Sequence, residues 1–202
     1  MTSAVTGLIL AGGAAQRMGR PKALLEVNGE TYLARIARAL LAGGCQNIIV
    51  VTGAQHRAVA AQAPAHLTLI REPCWYQGMR TSLRAGLRCI QEGSIVITHV
   101  DRPAISPRTV HTLVHEQGNR PLVPTFKGQT GHPVIIPHWV AMKLRAPGNE
   151  PLREMLARCQ FKRMPVSDEG ILLNVNTPSN HDIFVSRAHK YRSRACIEAR
   201  SV

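Results

Sequence analysis

Gly12 and Gly13 follow an apolar run, Leu8-Ile9-Leu10-Ala11, and lead into a loop that carries Arg17, Arg20 and Lys22. Glycines after a buried strand let the backbone come close to a ligand and leave amide N–H groups pointing at it. Three cations in the same loop supply positive charge where a polyphosphate would sit. The chemistry is phosphate handling, by neither of the common loops. No Lys-Ser or Lys-Thr follows Gly19, which excludes a Walker loop, and adjacent glycines are not a G-x-G-x-x-G fingerprint. On the residues alone, an ordinary basic strand-to-helix loop remains the alternative.

A second chemical centre is Asp101, directly after the apolar run Ile95-Val96-Ile97-Thr98-His99-Val100. A carboxylate at the carboxyl edge of an open α/β sheet lies where ligands bind. It suits Mg²⁺, which takes oxygen ligands and keeps waters and substrate phosphates in its shell. An ion pair with Arg102 or a helix cap is the competing role. Farther on, Asn174-Val175-Asn176-Thr177-Pro178 reads as the end of a strand spanning 171–175, with alternation putting Asn174 and Asn176 on one face. Turn and cap formation by those asparagines is the competing role there. His111 and His115 have helical i, i+4 spacing but lack an evident third ligand for zinc.

The elements that must position these residues follow from periodicity. Strands are predicted at 8–11, 48–52, 67–70 and 95–98, with Ala23–Val27 extended and Asn28-Gly29 a turn. Helices are predicted at 31–42 with Thr31 as cap, 56–62, 79–90, and from Ser106-Pro107 to about Glu116. From Pro121 the pattern changes to two strands around Lys127-Gly128-Gln129-Thr130-Gly131, then short helices at 139–144 and 151–159, and a closing helix from Pro178. Strands alternating with helices predict an α/β, single-domain, Rossmann-like three-layer sandwich, its mostly parallel sheet covered on both faces. The expected division is a domain over 1–188, with 121–170 as an acceptor-binding lobe, and a basic C-terminal tail over 189–202.

Bulk properties set the outer limits. The 202 residues suffice for one well-buried domain, and 45% hydrophobic content is ordinary for a globular chain. No apolar run reaches the roughly 18 residues of a membrane span, and the N-terminus lacks a signal-peptide pattern, so a cytoplasmic protein is expected. Five scattered cysteines, odd in number, do not make a disulfide framework. A net charge of +13 favours anionic partners, but only 4% aromatic residues argues against a nucleic-acid stacking surface.

The spacing G-G-x-x-x-R-M-G-x-x-K after an apolar strand resembles the signature loop of the MobA-like nucleotidyltransferases. Val100-Asp101-Arg102-Pro103 resembles that family's metal-binding D-x-P element, and Asn174 to Pro178 its second metal-side element, with asparagines where carboxylates are more usual. Trp75 to Leu83 is similar to the W-x-x-G-M-x-x-S-L segment of the molybdenum cofactor cytidylyltransferase branch, and Gly131-His132-Pro133-Val134 to its G-H-P-V element.

The resemblance implies Mg²⁺-dependent transfer of CMP from CTP to the terminal phosphate of a molybdopterin-type acceptor, with pyrophosphate released. GTP is the alternative nucleotide, since Leu10-Ala11-Gly12-Gly13 and the asparagine element resemble the guanylyl branch. A non-catalytic carrier serving a molybdenum hydroxylase partner is a second alternative. Arg17, Lys22 and Asp101 are then the expected catalytic residues, with Asp101 and Asn176 holding the metal. The nucleotide would contact Leu10, Ala11, Gly12, Gly13, Arg17, Lys22, Thr52, Gly78 and Ser82, and the acceptor Gly131, His132 and Pro133. Neither nucleic acid nor membrane is an expected partner.

Overall fold

The computed structural model describes residues 4–14, 18–148 and 150–198, with backbone alone for 189–198. The chain opens with β1 (Val5–Ala11), a short helical turn at Lys22–Leu24, and the hairpin β2 (Glu26–Val27) and β3 (Glu30–Thr31). Asn28 and Gly29 both have positive φ, at 54° and 74°, the backbone a two-residue hairpin turn needs. Then come α1 (Tyr32–Ala42), β4 (Asn47–Thr52), α2 (His56–Ala60), β5 (Thr68–Arg71), α3 (Met79–Arg88), β6 (Ser94–His99) and α4 (Pro107–His115). The second half supplies β7 (Leu122–Phe126), β8 (Gln129–Thr130), β9 (Val134–Ile136), α5 (His138–Arg145), α6 (Leu152–Arg158), β10 (Lys162–Pro165) and α7 (Pro178–Glu198).

The main sheet runs β10-β7-β9-β6-β1-β4-β5, with β8 added to β7. β6, β1, β4 and β5 are mutually parallel, as are β10 and β7, whereas β9 runs antiparallel to β6 and to β7. Sequence alternation explains the layers. Ile9 and Ala11 of β1 face one side with Leu33, Ile36 and Leu40 of α1 and Leu113 of α4. Leu8 and Leu10 face the other, with Leu83 and Leu87 of α3 and Leu144 of α5. A strand buried on both faces needs an unbroken apolar run, and β1 has one. The expected three-layer sandwich is therefore the fold.

The helix starts are as read. Thr31 Oγ1 accepts from the Ala34 amide at 3.2 Å, and Ser106 Oγ from that of Arg108 at 3.2 Å, ahead of Pro107. α7 returns across the molecule and packs Phe184 and Ala188 against Val27 and Tyr32, with the Tyr32 hydroxyl 2.7 Å from His181 Nδ1. Burial pushes the Tyr32 phenol well above its usual range. Of the expected tail, the backbone continues α7 to Glu198; the side chains of 189–198 and residues 199–202 lie outside the described residues.

Three expectations change. The predicted strand at 171–175 is a helical turn, Glu169–Leu172, followed by extended chain that joins no sheet. Asp168 causes the turn: its Oδ1 accepts from the Gly170 amide at 2.9 Å, and its Oδ2 binds Thr109 Oγ1 at 2.7 Å. The last strand is instead β10, Lys162–Pro165, a charged edge whose polar pattern hid it. Ala23–Val27 is extended only at its end, because the Leu24 and Leu25 amides turn back to Pro21 and Lys22 carbonyls.

Candidate active site

The carboxyl ends of β1, β4 and β6 open into a cleft of about 370 Å³. Leu10, Ala11, Gly12 and Gly13 form one wall, Lys22 and Asp101 one end, and Gly78 and Ser82 stand opposite. Eight of the expected site residues thus meet around one space. Strand order explains it, since β1 lies between β4 and β6 and their carboxyl-end loops converge. Arg17 lies outside the described residues.

The strand-to-loop passage is tightly fitted. A Cβ on Gly12 would lie 2.6 Å from Ser82 Oγ, so the β1 loop and the first turn of α3 touch. A Cβ on Gly53 would lie 2.2 Å from the Gly12 carbonyl oxygen and 2.6 Å from Trp75 Cβ. Glycine at 53 lets β4 end directly beneath the loop. Nothing lies within 4 Å of the corresponding position on Gly13, which leaves that backbone open to a ligand.

At the cleft's end Lys22 Nζ stands 3.7 Å from Asp101 Oδ2 and also donates a close hydrogen bond to Asn176 Oδ1. Two residues far apart in sequence, Asp101 and Asn176, therefore share one cation. The link to Asn176 is secured by the Val175 amide, which donates to the Asp101 carbonyl at 2.9 Å. Arg102 adds two longer bonds, from Nη1 to the Ile171 carbonyl at 3.3 Å and the Leu173 carbonyl at 3.4 Å. Asn174 is exposed, so the two asparagines are used differently. Asp101 and Asn176 offer only hard oxygen donors, and among the described residues no group of three or more His, Cys, Asp or Glu side chains is placed to hold a metal. One carboxylate with one amide oxygen fits a hard divalent cation that takes its remaining ligands from water and phosphates.

Asn176 reaches the cleft only through Lys22, and four further expected residues do not line it. Thr52 is fully buried, its hydroxyl donating to the Ile70 carbonyl at 3.1 Å and lying 2.7 Å from His56 Nδ1. That hydroxyl has one proton, so His56 must donate from Nδ1; Thr52 orders the α2 start rather than touching a nucleotide directly. Gly131 and Pro133 are buried, the Gly131 amide bound to the Pro124 carbonyl at 2.9 Å and that of His132 to the Ile171 carbonyl at 3.0 Å. The His132 ring packs edge-on behind His99, centroids 4.8 Å apart, and its Nδ1 is buried without a hydrogen-bond partner. Burial first, then the neighbouring His99 and Arg102, depress its pKa to about 3. It is a neutral packing group behind His99, not a side chain presented to the cleft.

Several lining residues carried no role in the sequence reading. His99 lies between Leu10 and Asp101, its pKa lowered by burial, with Asp101 opposing and Arg102 and Lys22 reinforcing the shift. Strand alternation could have found it, because His99 and Asp101 lie two apart at the end of β6. Gln55, Trp75, Tyr76 and Met79 also border the cleft. Trp75, Tyr76 and Met79 belong to the W-x-x-G-M-x-x-S-L segment, from which only Gly78 and Ser82 were expected in the site, and the signal for Gln55 was its position on the loop after β4.

Residues 7–164 match the family described as the MobA-like NTP transferase domain. The chain is 34% identical over 145 residues to nicotine blue oxidoreductase of Paenarthrobacter nicotinovorans, covering 65% of this chain and 70% of that protein. It is 26% identical over 194 residues to the molybdenum cofactor cytidylyltransferase of Escherichia coli K12, covering 94% and 98%. To a probable molybdenum cofactor guanylyltransferase of Synechococcus elongatus it is 31% identical over 191 residues, covering 86% and 94%. Among solved structures, Rv0371c of Mycobacterium tuberculosis superposes with a TM-score of 0.81 at 23% identity, over 92% of this chain and 100% of that one. The same protein solved as a manganese complex gives 0.74 at 22% identity, over 91% and 99%. The chain belongs to the MobA-like NTP transferase family, among whose named members are molybdenum cofactor nucleotidyltransferases.

Proposed function

We propose that this protein transfers a nucleotidyl group, CMP from CTP in the first instance, to the terminal phosphate of a molybdopterin-type acceptor. The observation that carries this reading is the meeting of Lys22, Asp101 and Asn176 at the end of a cleft walled by Gly12 and Gly13. An acceptor phosphate oxygen attacks the α-phosphorus, the bond to the β-phosphate bridging oxygen breaks, and pyrophosphate leaves. No covalent nucleophile from the protein is required. The chain's work is to align two anions and to neutralise charge gathering on the leaving group. The Gly13 amide side is open for the triphosphate, Lys22 supplies the nearest cation, and Arg17 belongs to the same loop. Asp101 with Asn176 would hold Mg²⁺, which supplies charge neutralisation across the phosphates. Rv0371c, which shares this fold, has been solved as a complex with manganese, in keeping with use of a divalent metal.

CTP is placed ahead of GTP on the strength of the G-M-x-x-S-L and G-H-P-V elements, and relatives of both kinds match over most of the chain. A second reading, a cofactor carrier for a molybdenum hydroxylase, is favoured by Asn174 and Asn176 standing where carboxylates are more usual. That a 34% identical relative is named an oxidoreductase also supports a use of this cleft without transfer. One assay separates them: pyrophosphate release with each of the four NTPs, with and without molybdopterin. Acceptor-dependent release with CTP supports transfer, preference for GTP changes the nucleotide, and binding of molybdopterin with no release leaves the carrier.

A further inference from the structure

Two tasks fall on Lys22 that it cannot perform at once. The transfer reading needs its ammonium beside the triphosphate, yet that ammonium stands 3.7 Å from Asp101 Oδ2 and donates to Asn176 Oδ1. Those two side chains are the ones that fit a divalent ion. An ammonium and a divalent ion repel each other, and Asp101 brings only one negative charge to hold both. Asp101 also faces the Arg102 charge, so the group carries no net negative charge before any ion arrives. A carboxylate at 176 would have altered that balance; an asparagine adds no charge.

The Lys22 side chain can leave without disturbing its backbone. Lys22 opens the helical turn Lys22–Leu24, its carbonyl accepts from the Leu25 amide at 3.2 Å, and Ala23 and Leu24 are buried. Its flexible four-carbon stem ends in a compact charge and borders the same cleft as Gly12 and Gly13. A triphosphate there sets several negative charges against the single one of Asp101.

We propose that Lys22 is an electrostatic gate on the metal position: it holds Asp101 and Asn176 until the phosphates of a nucleotide draw it away, and a divalent ion is admitted only with those phosphates. The gate deepens the transfer reading and rests on it for where the phosphates lie. It also gives the amide of Asn176 a use that a carboxylate would not serve. With the amide, Lys22 balances the group by itself and metal binding is conditional on phosphate.

The test uses Mn²⁺ as the probe and water-proton relaxation as the readout, which reports Mn²⁺ on the slowly tumbling chain and not Mn²⁺ held by phosphate in solution. The full chain, Lys22→Met, Lys22→Arg and a double variant joining Lys22→Met to Asp101→Asn are titrated at one pH, without and with inorganic tripolyphosphate. Two unit charges about 4 Å apart are worth from about fivefold in bulk water to about a thousandfold near a protein surface. Without tripolyphosphate, Lys22→Met is therefore expected to bind Mn²⁺ about tenfold or more tightly than the parent. Lys22→Arg should stay with the parent, the double variant should lose the gain, and tripolyphosphate should bring Mn²⁺ onto the parent. Equal affinity in parent and Lys22→Met, an equal gain in Lys22→Arg, a gain that survives Asp101→Asn, or no Mn²⁺ on the parent with tripolyphosphate overturns the gate. Thermal midpoints check folding, and Lys22→Ala repeats the measurement if methionine crowds the turn. Absence of pyrophosphate release with these Mn²⁺ differences intact would sink the transfer reading and leave the gate standing. Release by the parent with no Mn²⁺ gain in Lys22→Met would sink the gate alone.

Discussion

On the side of β1 and β4 the cleft is made of short loops that leave neighbouring parallel strands, Gly12-Gly13 after β1 and Gln55 after β4, closed by Ser82 one turn into α3. The side toward the mixed half of the sheet is held by contacts between distant residues. Asp168 reaches Ser106 and Thr109, Arg102 reaches Ile171 and Leu173, and Asn176 reaches Lys22. The first side is positioned by the sheet itself and the second by individual polar contacts. Loss of one polar contact should therefore move the second side more than the first, and Lys22, on the loop after β1, is the side chain that joins the second side to the first.

Replacing Lys22 tests that junction most severely. Lys22→Ala removes the cation nearest the leaving group, and losing one such electrostatic contact costs about 100-fold or more in turnover. The fold should survive, because the Lys22–Asp101 pair is partly solvated and such pairs contribute little to stability. Pyrophosphate release and the thermal midpoint check both halves of the expectation. Turnover near that of the parent in a folded variant removes the loop from the chemistry.

Asp101→Asn is expected to act next most strongly. The change keeps shape and removes the only carboxylate of the Lys22, Asp101 and Asn176 group. Losing even an outer partner of a metal costs about 10- to 100-fold in affinity, and a direct ligand should cost no less. NTP binding should persist in part, since Gly12 and Gly13 are untouched. Activity titrated against Mg²⁺ in both forms gives the answer, and superimposable curves would take the metal away from Asp101.

His132 probes the second side through stability. Its folded pKa, about 3, lies below the unfolded value of about 6.5. Above 6.5 both states are neutral and the full stability is present. As pH falls below 6.5 the unfolded chain binds a proton that the folded one refuses, so stability declines until the folded value is reached. At pH 5.5 this one group accounts for about 1.4 kcal/mol. His132→Gln, which cannot titrate, should give a shallower loss of urea midpoint between pH 6.5 and 4, and an unchanged slope would place the acid sensitivity elsewhere.

The same division explains what the sequence disclosed. β1, Gly12-Gly13, the Thr31 and Ser106 caps and the Asn28-Gly29 turn are readable because each is set by neighbours a few residues away. The 171–175 segment was misread as a strand because Ile171-Leu172-Leu173 has strand composition, whereas Asp168 and Arg102 hold it by contacts outside any local pattern. Lys22 and Asn176 were each proposed singly, and their hydrogen bond spans most of the chain. His132 was read on a loop beside the acceptor, and packing against His99, a residue of β6, turned it inward.

Gly12→Ala asks how much slack the locally built side has. Gly12 does not have positive φ, so an added methyl meets no backbone strain and its cost is decided by contact. The contact is Ser82 Oγ at 2.6 Å, the end of a short side chain that can rotate away, with Ser82 Cβ at 3.6 Å and Trp75 Cβ at 3.8 Å in ordinary contact. Rotation frees the methyl but takes the hydroxyl from the cleft face opposite Gly12, where a base and its ribose would enter. A purine needs more room there than a pyrimidine. The variant should keep CTP use and lose more of any GTP use, within the about 10- to 200-fold that one methyl gives in a pocket. It should sit at the low end, because the obstructing atom moves. The kcat/KM values for both nucleotides should be compared in the parent, Gly12→Ala, Ser82→Ala and the double variant. If Ser82 rotation is the whole effect, the double variant matches Ser82→Ala alone. Additive losses would mean that the methyl displaces the β1 loop itself, and a shift toward GTP would show that Gly12 does not gate the base.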